Sequence, residues 1–154
     1  MTHQIVTARL EHVRAIVRTM RPMDRAEIEG MGLCVRHTLH HLWRNSSLRK
    51  AALVEGEVAA VWGLEGPMLD DVGMPWAFTA PAVERARLAF YRETRAEIEA
   101  MLHVKRRLQT YVLADYARAI RFFGRFGFQF CEPAPLVAGG PTFRRMILER
   151  PDGS

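Results

Sequence analysis

Tyr111-Val112-Leu113-Ala114-Asp115-Tyr116-Ala117-Arg118-Ala119-Ile120-Arg121-Phe122-Phe123-Gly124-Arg125-Phe126-Gly127-Phe128 is the stretch on which the fold turns. Its approach reads as a strand, because Leu108, Thr110 and Val112 alternate with Gln109, Tyr111 and Leu113, and alternate side chains of a strand point to opposite faces. Asp115 is placed to cap a helix whose apolar Ala119, Ile120, Phe122 and Phe123 recur at helical steps. Gly127 stops that helix, since glycine enters the left-handed conformation of a helix end without a Cβ clash. A further strand follows from Phe128 to Cys131.

Upstream, Val83, Ala86, Phe90, Thr94, Ile98 and Met101 mark one long helix, with Thr79 as N-cap and Pro81 in its first turn. Trp76-Ala77-Phe78 before it reads as a short buried strand. Lys50 to Val54 and Val58 to Leu64 read as a hairpin around Glu55-Gly56-Glu57. Further back, Val35, Leu39, Leu42 and Trp43 form one helical stripe and Val13, Ile16, Val17 and Met20 another, with a connection from Arg21 to Gly32 between them; Gln4 to Ala8 is a short opening strand. Downstream, Thr142 to Leu148 is the final strand, after a loop from Pro133 to Pro141. The order β-α-α-β-β-β-α-β-α-β-β predicts a mixed α/β, or α+β, sheet with helices packed on its faces. One domain over residues 1–150 is expected, with a frayed tail at 151–154.

Composition agrees with that class. With 154 residues, 49% of them hydrophobic and 25% charged, the chain is long enough to bury a core without disulfides or metal. No run of about 18 apolar residues suits a membrane span, and the first residues carry no signal pattern, so a cytoplasmic protein is expected. Cys34 and Cys131 lack C-x-x-C spacing and read as two buried free thiols. His37 and His41 stand one helical turn apart beside His40, but no third ligand accompanies them, and no metal is expected. The net charge is +5, and ten basic residues against five acidic ones between Pro81 and Phe126 account for the excess. A solvated helix face explains this better than a nucleic-acid surface built on Lys105, Arg106, Arg107, Arg118, Arg121 and Arg125.

The Tyr111 to Phe128 block resembles the strand-helix-strand of GNAT-type N-acetyltransferases, which reads V-x-x-x-N-x-x-A-x-x-F-Y-x-x-x-G-F. A closer resemblance is to small GNAT-like proteins of tailed bacteriophages and prophages, some of them virion-associated. It is carried by Ser47 to Gly63 with its E-G-E hairpin and W-G ending, by Gly73-Met74-Pro75-Trp76-Ala77-Phe78-Thr79, by the arginine-bearing helix, and by Leu108 to Phe128, roughly two thirds of the chain. The resemblance implies a central twisted, mostly antiparallel sheet and acetyl-CoA as cofactor.

It also implies site residues, and departures at them. The family's R/Q-x-x-G-x-G/A loop closes backbone N–H groups around a pyrophosphate. The corresponding place here is Phe78-Thr79-Ala80-Pro81-Ala82-Val83, where no glycine stands and Pro81 removes a donor. Phe78, Thr79, Ala80, Arg85 and Arg87 are the candidate cofactor contacts. The tyrosine that protonates the leaving thiolate in many relatives is Phe123 here, and the motif's asparagine is Tyr116, which becomes the displaced candidate acid. Glu65 is the candidate base, with Glu57, Asp70 and Asp71 beside it.

Three functions stand open on the sequence. The first is a phage-type protein whose acetyl-CoA loop is degraded, serving as a structural, virion-associated or interaction module for a virion or host protein. The second is an active N-acyltransferase with an amine acceptor near the Arg21 to Gly32 connection and the Pro133 to Pro141 loop. The third is a basic module that binds nucleic acid. An edge strand suited to a homodimer fits any of them.

Overall fold

A computed structural model describes residues 2–151. The expected tail at 151–154 lies outside the described residues apart from Pro151. The elements are β1 (His3–Thr7), α1 (Leu10–Thr19), α2 (Pro22–Gly30), α3 (Val35–Arg44), β2 (Ser46–Val54), β3 (Glu57–Glu65), β4 (Val72–Thr79), a 3-10 turn (Pro81–Ala86), α4 (Arg87–Val104), β5 (Arg107–Leu113), α5 (Ala117–Gly124), β6 (Gln129–Phe130), β7 (Ala134–Pro135) and β8 (Thr142–Glu149). Among the described residues no helix is long and apolar enough to cross a membrane.

The largest departure from the sequence reading is α2, where a connection was expected. Pro22 and Gly30-Met31-Gly32 are helix-end signals rather than loop signals: proline suits the first helical turn, and Gly32, at φ +76°, takes the left-handed turn beyond the last one. The helix between them buries Ile28 and, unusually, Asp24. Two expected caps also differ. Thr79 gives its hydroxyl to Asp24 and the turn after it starts from Ala80 with no side-chain cap, while α5 starts from Tyr116 rather than Asp115. Strand β2 begins at Ser46, β4 reaches back to Val72, and the loop after Pro133 contains the two-residue β7.

The sheet runs β1-β2-β3-β4-β5-β8-β6, with β7 also paired to β8. Every pairing is antiparallel except β4 with β5. Alternation along β2 and β3 divides the core: Ala51 and Val61 face α1 and α3 with Ile16, Leu39 and Leu42, and Ala52, Ala60, Trp62 and Leu64 face the side of Ile98 and Met101 of α4. Helix α5 meets the first half of α4 through the stacked rings of Phe90 and Phe122, 5.9 Å apart.

The parallel pair sets up the site. Strands β4 and β5 touch at Val72–Arg107 and Gly73–Leu108 and then part. That contact is fastened by Asp71, whose carbonyl accepts from the N–H groups of Arg106 and Arg107 at 2.9 and 3.1 Å. Lys105, 1% exposed, donates from Nζ to the carbonyls of Pro67 and Asp70, each at 2.6 Å. Beyond Gly73 the β5-side edge of β4 is open, and Pro75, which has no N–H to give a ladder, falls on this stretch.

Close approach of β2, β3 and β4 depends on Gly63. A Cβ there would lie 2.6 Å from a ring carbon of Trp76 and nearer still to the Leu48 carbonyl oxygen. Gly63→Ala is therefore expected to destabilise the protein by about 1–3 kcal/mol, the usual cost of overpacking. A lowered urea midpoint at unchanged slope checks it, and an unchanged midpoint refutes it.

Candidate functional site

The parting of β4 and β5 opens a cleft of about 1720 Å³, bounded by α2 and α3 on one side of the sheet and by α4 and α5 on the other. At the end remote from the fastened contact, α2 reaches across both strands. Its Asp24, 5% exposed, accepts from the Thr79 N–H at 2.7 Å and the Thr79 hydroxyl at 2.9 Å through Oδ2, and from the Tyr116 hydroxyl at 2.8 Å through Oδ1. One carboxylate thereby ties the end of β4 to the start of α5. Burial pushes the Asp24 carboxyl above the usual carboxylate range, against the pull of the Thr79 and Tyr116 hydrogen bonds and of Arg21.

One helical turn on, Glu27 accepts from the Leu113 N–H at 2.8 Å through Oε2. No group among the described residues hydrogen-bonds its Oε1, and Glu27 is one of the residues that line the cleft. No cation pairs with Glu27 among the described residues. Burial raises its carboxyl from the usual 4.5 to about 8, the Leu113 hydrogen bond opposes the rise, and the charge of Asp24 adds to it. Tyr116 is pushed above the ordinary phenol value by burial first and by Asp24 second, so it keeps its proton at neutral pH.

Three arginines meet at the α4–α5 edge of the cleft. Arg21 and Arg118 both bond the carboxylate of Glu84, and Arg87 stands 3.5 Å from it. Against some desolvation, the charges of Arg21 and Arg118 hold Glu84 below the usual carboxylate range. Three guanidinium groups on one carboxylate leave a local excess of positive charge.

The residues singled out in the sequence are sorted by this geometry. Tyr116, Glu65, Phe78, Thr79 and Arg87 line the cleft. Glu65 stands 3.4 Å from His41 at its α3 side. Ala80 is buried at the end of β4, and Arg85 turns away to Glu57 on the β2–β3 hairpin, so neither lines the cleft. Glu57, Asp70 and Asp71 lie outside it too. Phe123 packs edge-on against Phe122 and Phe128. The thiols differ from expectation: Cys34, which precedes α3 and lines the cleft, is exposed, and Cys131, which follows β6, is half-buried. No group of three His, Cys, Asp or Glu among the described residues is placed to hold a metal. Lys105 is buried and Arg107 is paired with Glu149, which removes two members of the basic surface considered for nucleic acid.

Asp24, Glu27, Arg21 and Glu84 were not anticipated. A signal was present, since Asp24 and Glu27 are three apart and share a helix face, but it is readable only once α2 is known to be a helix.

No family model matches the chain, and no curated protein matches it in sequence. Solved structures do. The ribosomal-protein-S18-alanine N-acetyltransferase from Escherichia coli superposes with a TM-score of 0.70 at 17% identity, covering 99% of both chains. A GCN5-related N-acetyltransferase from Kribbella flavida gives 0.67 at 18% identity, over 96% of this chain and 98% of that one. AAC(6')-Ib, in complex with ribostamycin and coenzyme A, gives 0.67 at 16% identity, over 97% and 94%. The fold is therefore that of the GNAT N-acetyltransferases, a mixed α/β fold around a mostly antiparallel sheet. These identities establish the fold alone, and they carry no sign of the phage affinity that the sequence resemblance implied.

The Glu27 environment fixes a pH dependence of stability. Unfolded, the carboxyl loses its proton near 4.5; folded, it keeps it to about 8. Between those values the folded state binds the extra proton, so this group's contribution is full below about 4.5 and is lost as pH rises to about 8. Glu27→Gln removes that loss, and its unfolding temperature relative to the parent should climb from pH 5 to pH 8.5. Parallel curves for the two proteins would refute the assignment.

Proposed function

We propose that the protein is an N-acyltransferase that moves an acetyl group from acetyl-CoA to an amine, with Glu27 as base. The observation that carries this reading is Glu27 itself, a cleft-lining carboxylate held through Oε2 by the Leu113 N–H at the C-terminal end of β5, with no hydrogen-bond partner for Oε1 among the described residues.

The residues present suit the cofactor. The open edge of β4 from Met74 to Ala77 offers backbone groups to an extended amide-bearing chain, and Arg21, Arg87 and Arg118 offer charge to phosphates where the sequence lacks a glycine loop. Thr79, whose N–H is already given to Asp24, contributes position rather than a donor. Arg85, engaged with Glu57, is dropped from the cofactor contacts.

Bound acetyl-CoA supplies an activated acyl carbon as a thioester. The chain's own part is proton management. An amine arrives at neutral pH as an ammonium ion and attacks only after losing a proton. Glu27 takes it at Oε1, and a carboxyl poised near 8 is a stronger base than an ordinary one while still ionising in the physiological range. Tyr116 gives its one hydroxyl proton to Asp24 and is a weaker acid than a free phenol, so it positions that carboxylate, and the departing sulfur takes the second proton that the attacking nitrogen sheds. Glu65, paired with His41 at the α3 side, serves the acceptor's approach rather than the proton transfer.

The rival reading, a non-catalytic interaction module of phage type, draws on the absent loop glycines and on Phe123. Both readings meet in one experiment. Acetyl-CoA at about 100 times its dissociation constant should stabilise the protein by about 2.7 kcal/mol, a rise in unfolding temperature of about 5–10 °C for this size. Glu27→Gln should keep that shift, lower kcat about 10²-fold or more in a CoA-thiol release assay with primary amines, and abolish a rate increase centred near pH 8. No shift at millimolar acetyl-CoA or CoA would overturn the transferase and favour the module.

A further inference from the structure

The acceptor side of the cleft has a chemical character that the transferase reading does not specify. Two segments frame it, the turn from α2 into α3 and the loop around β7. They abut each other: a Cβ on Gly30 would lie 2.8 Å from Pro141, and one on Gly32 would lie 4.0 Å from Val137. Together, residues 30–38 and 133–141 contain no aspartate or glutamate, and their only Asp, Glu, Lys, Arg or His residues are Arg36 and His37. What they do present is apolar. Leu33 is 48% exposed, Leu136 39% and Val137 38%, and Leu33, Leu136 and Met31 line the cleft, with Met74 and Trp76 of β4 as its wall.

Inside this rim the carboxylates are unequally free. Asp24 is saturated by three hydrogen bonds, Glu65 stands 3.4 Å from His41 through Oε1, and Glu27 Oε1 has no hydrogen-bond partner among the described residues. Glu27 at the floor can take the proton of an amine, and the apolar mouth above it matches an apolar body on the ligand.

We infer that the acceptor is a small primary amine carried on an apolar body, such as an arylalkylamine: its amine meets Glu27 and its body is covered by Leu33, Leu136 and Met31. This rests on the transferase reading and narrows it. The side chains at the rim are too exposed to be there for the core, and burying them against such a body is what gains affinity.

The test compares 2-phenylethylamine, spermidine and a tripeptide amide with a free apolar N-terminus as acceptors, by kcat/KM in CoA-thiol release and by the rise in unfolding temperature each amine adds in the presence of CoA. We expect 2-phenylethylamine to exceed spermidine at least about 10-fold in kcat/KM, the scale at which one apolar contact discriminates, and to add stability where spermidine adds none. Leu33→Asp and Leu136→Asp, both at exposed positions, should each narrow or reverse that preference while leaving the acetyl-CoA shift intact. Equal or better use of spermidine would overturn the inference, as would equal preference in the two variants, and better use of the peptide would move the acceptor to a polypeptide N-terminus. The absence of any acetyl-CoA shift would instead count against the transferase itself, so the two failures are told apart.

Discussion

Strands β4 and β5 are parallel neighbours for two residue pairs and then separate, and the rest of the molecule is arranged around that separation. A sheet interrupted in this way exposes backbone groups along two inner edges, which an ordinary core cannot tolerate unsatisfied. The two ends of the gap are managed differently. At one end Lys105 threads its ammonium between the carbonyls of Pro67 and Asp70 and Asp71 binds the backbone of β5's first turn, so the strands cannot part further. At the other end α2 lies across the opening and meets both strands, through the Arg21 N–H to the Thr79 carbonyl at 2.8 Å and through Asp24 and Glu27.

This bridging explains why two carboxylates are buried in a helix of nine residues. A buried carboxylate is costly unless its lone pairs are taken, and Asp24 meets that condition with three donors. Glu27 meets it only in part, with one donor and no cation among the described residues. The same geometry that makes Asp24 a structural tie leaves Glu27, the proposed base, with one oxygen unpartnered among the described residues. Incomplete satisfaction at a functional position, with the cost carried by the surrounding fold, is the usual form of such a compromise.

The proposed cofactor end would exchange one physical device for another. A glycine loop at a helix N-terminus binds an anion with backbone N–H groups, and Ala80-Pro81-Ala82 in a 3-10 turn cannot reproduce it. The arginines that gather on Glu84 come from three different elements: the α1–α2 junction, the start of α4 and the start of α5. Side-chain charge is less tied to local backbone conformation than an N–H cradle, which would let the loop change while the fold persists at 16–18% identity to the three structures compared above.

The sequence by itself determined the order of most elements, the hairpin at Glu55-Gly56-Glu57, the strand-helix-strand from Leu108 to Phe128, and the presence of Tyr116, Thr79 and Glu65 near the cleft. Each of these is a local pattern of periodicity or turn chemistry, or a motif of contiguous residues, and such patterns are legible without neighbours. What tertiary structure decided was which ionisable groups share one space. Arg85 looked equivalent to Arg87 until Glu57 arrived from the hairpin to claim it, and the buried role of Lys105 depended on carbonyls more than thirty residues earlier. Asp24 and Glu27 were read as part of a connection because α2 is short and weakly amphipathic, its stability coming from the strand ends it spans. Burial raised those carboxyls against the hydrogen bonds of Thr79, Tyr116 and Leu113, the last two about ninety positions away, and no pattern along the chain encodes a desolvation that exists only after the chain has folded.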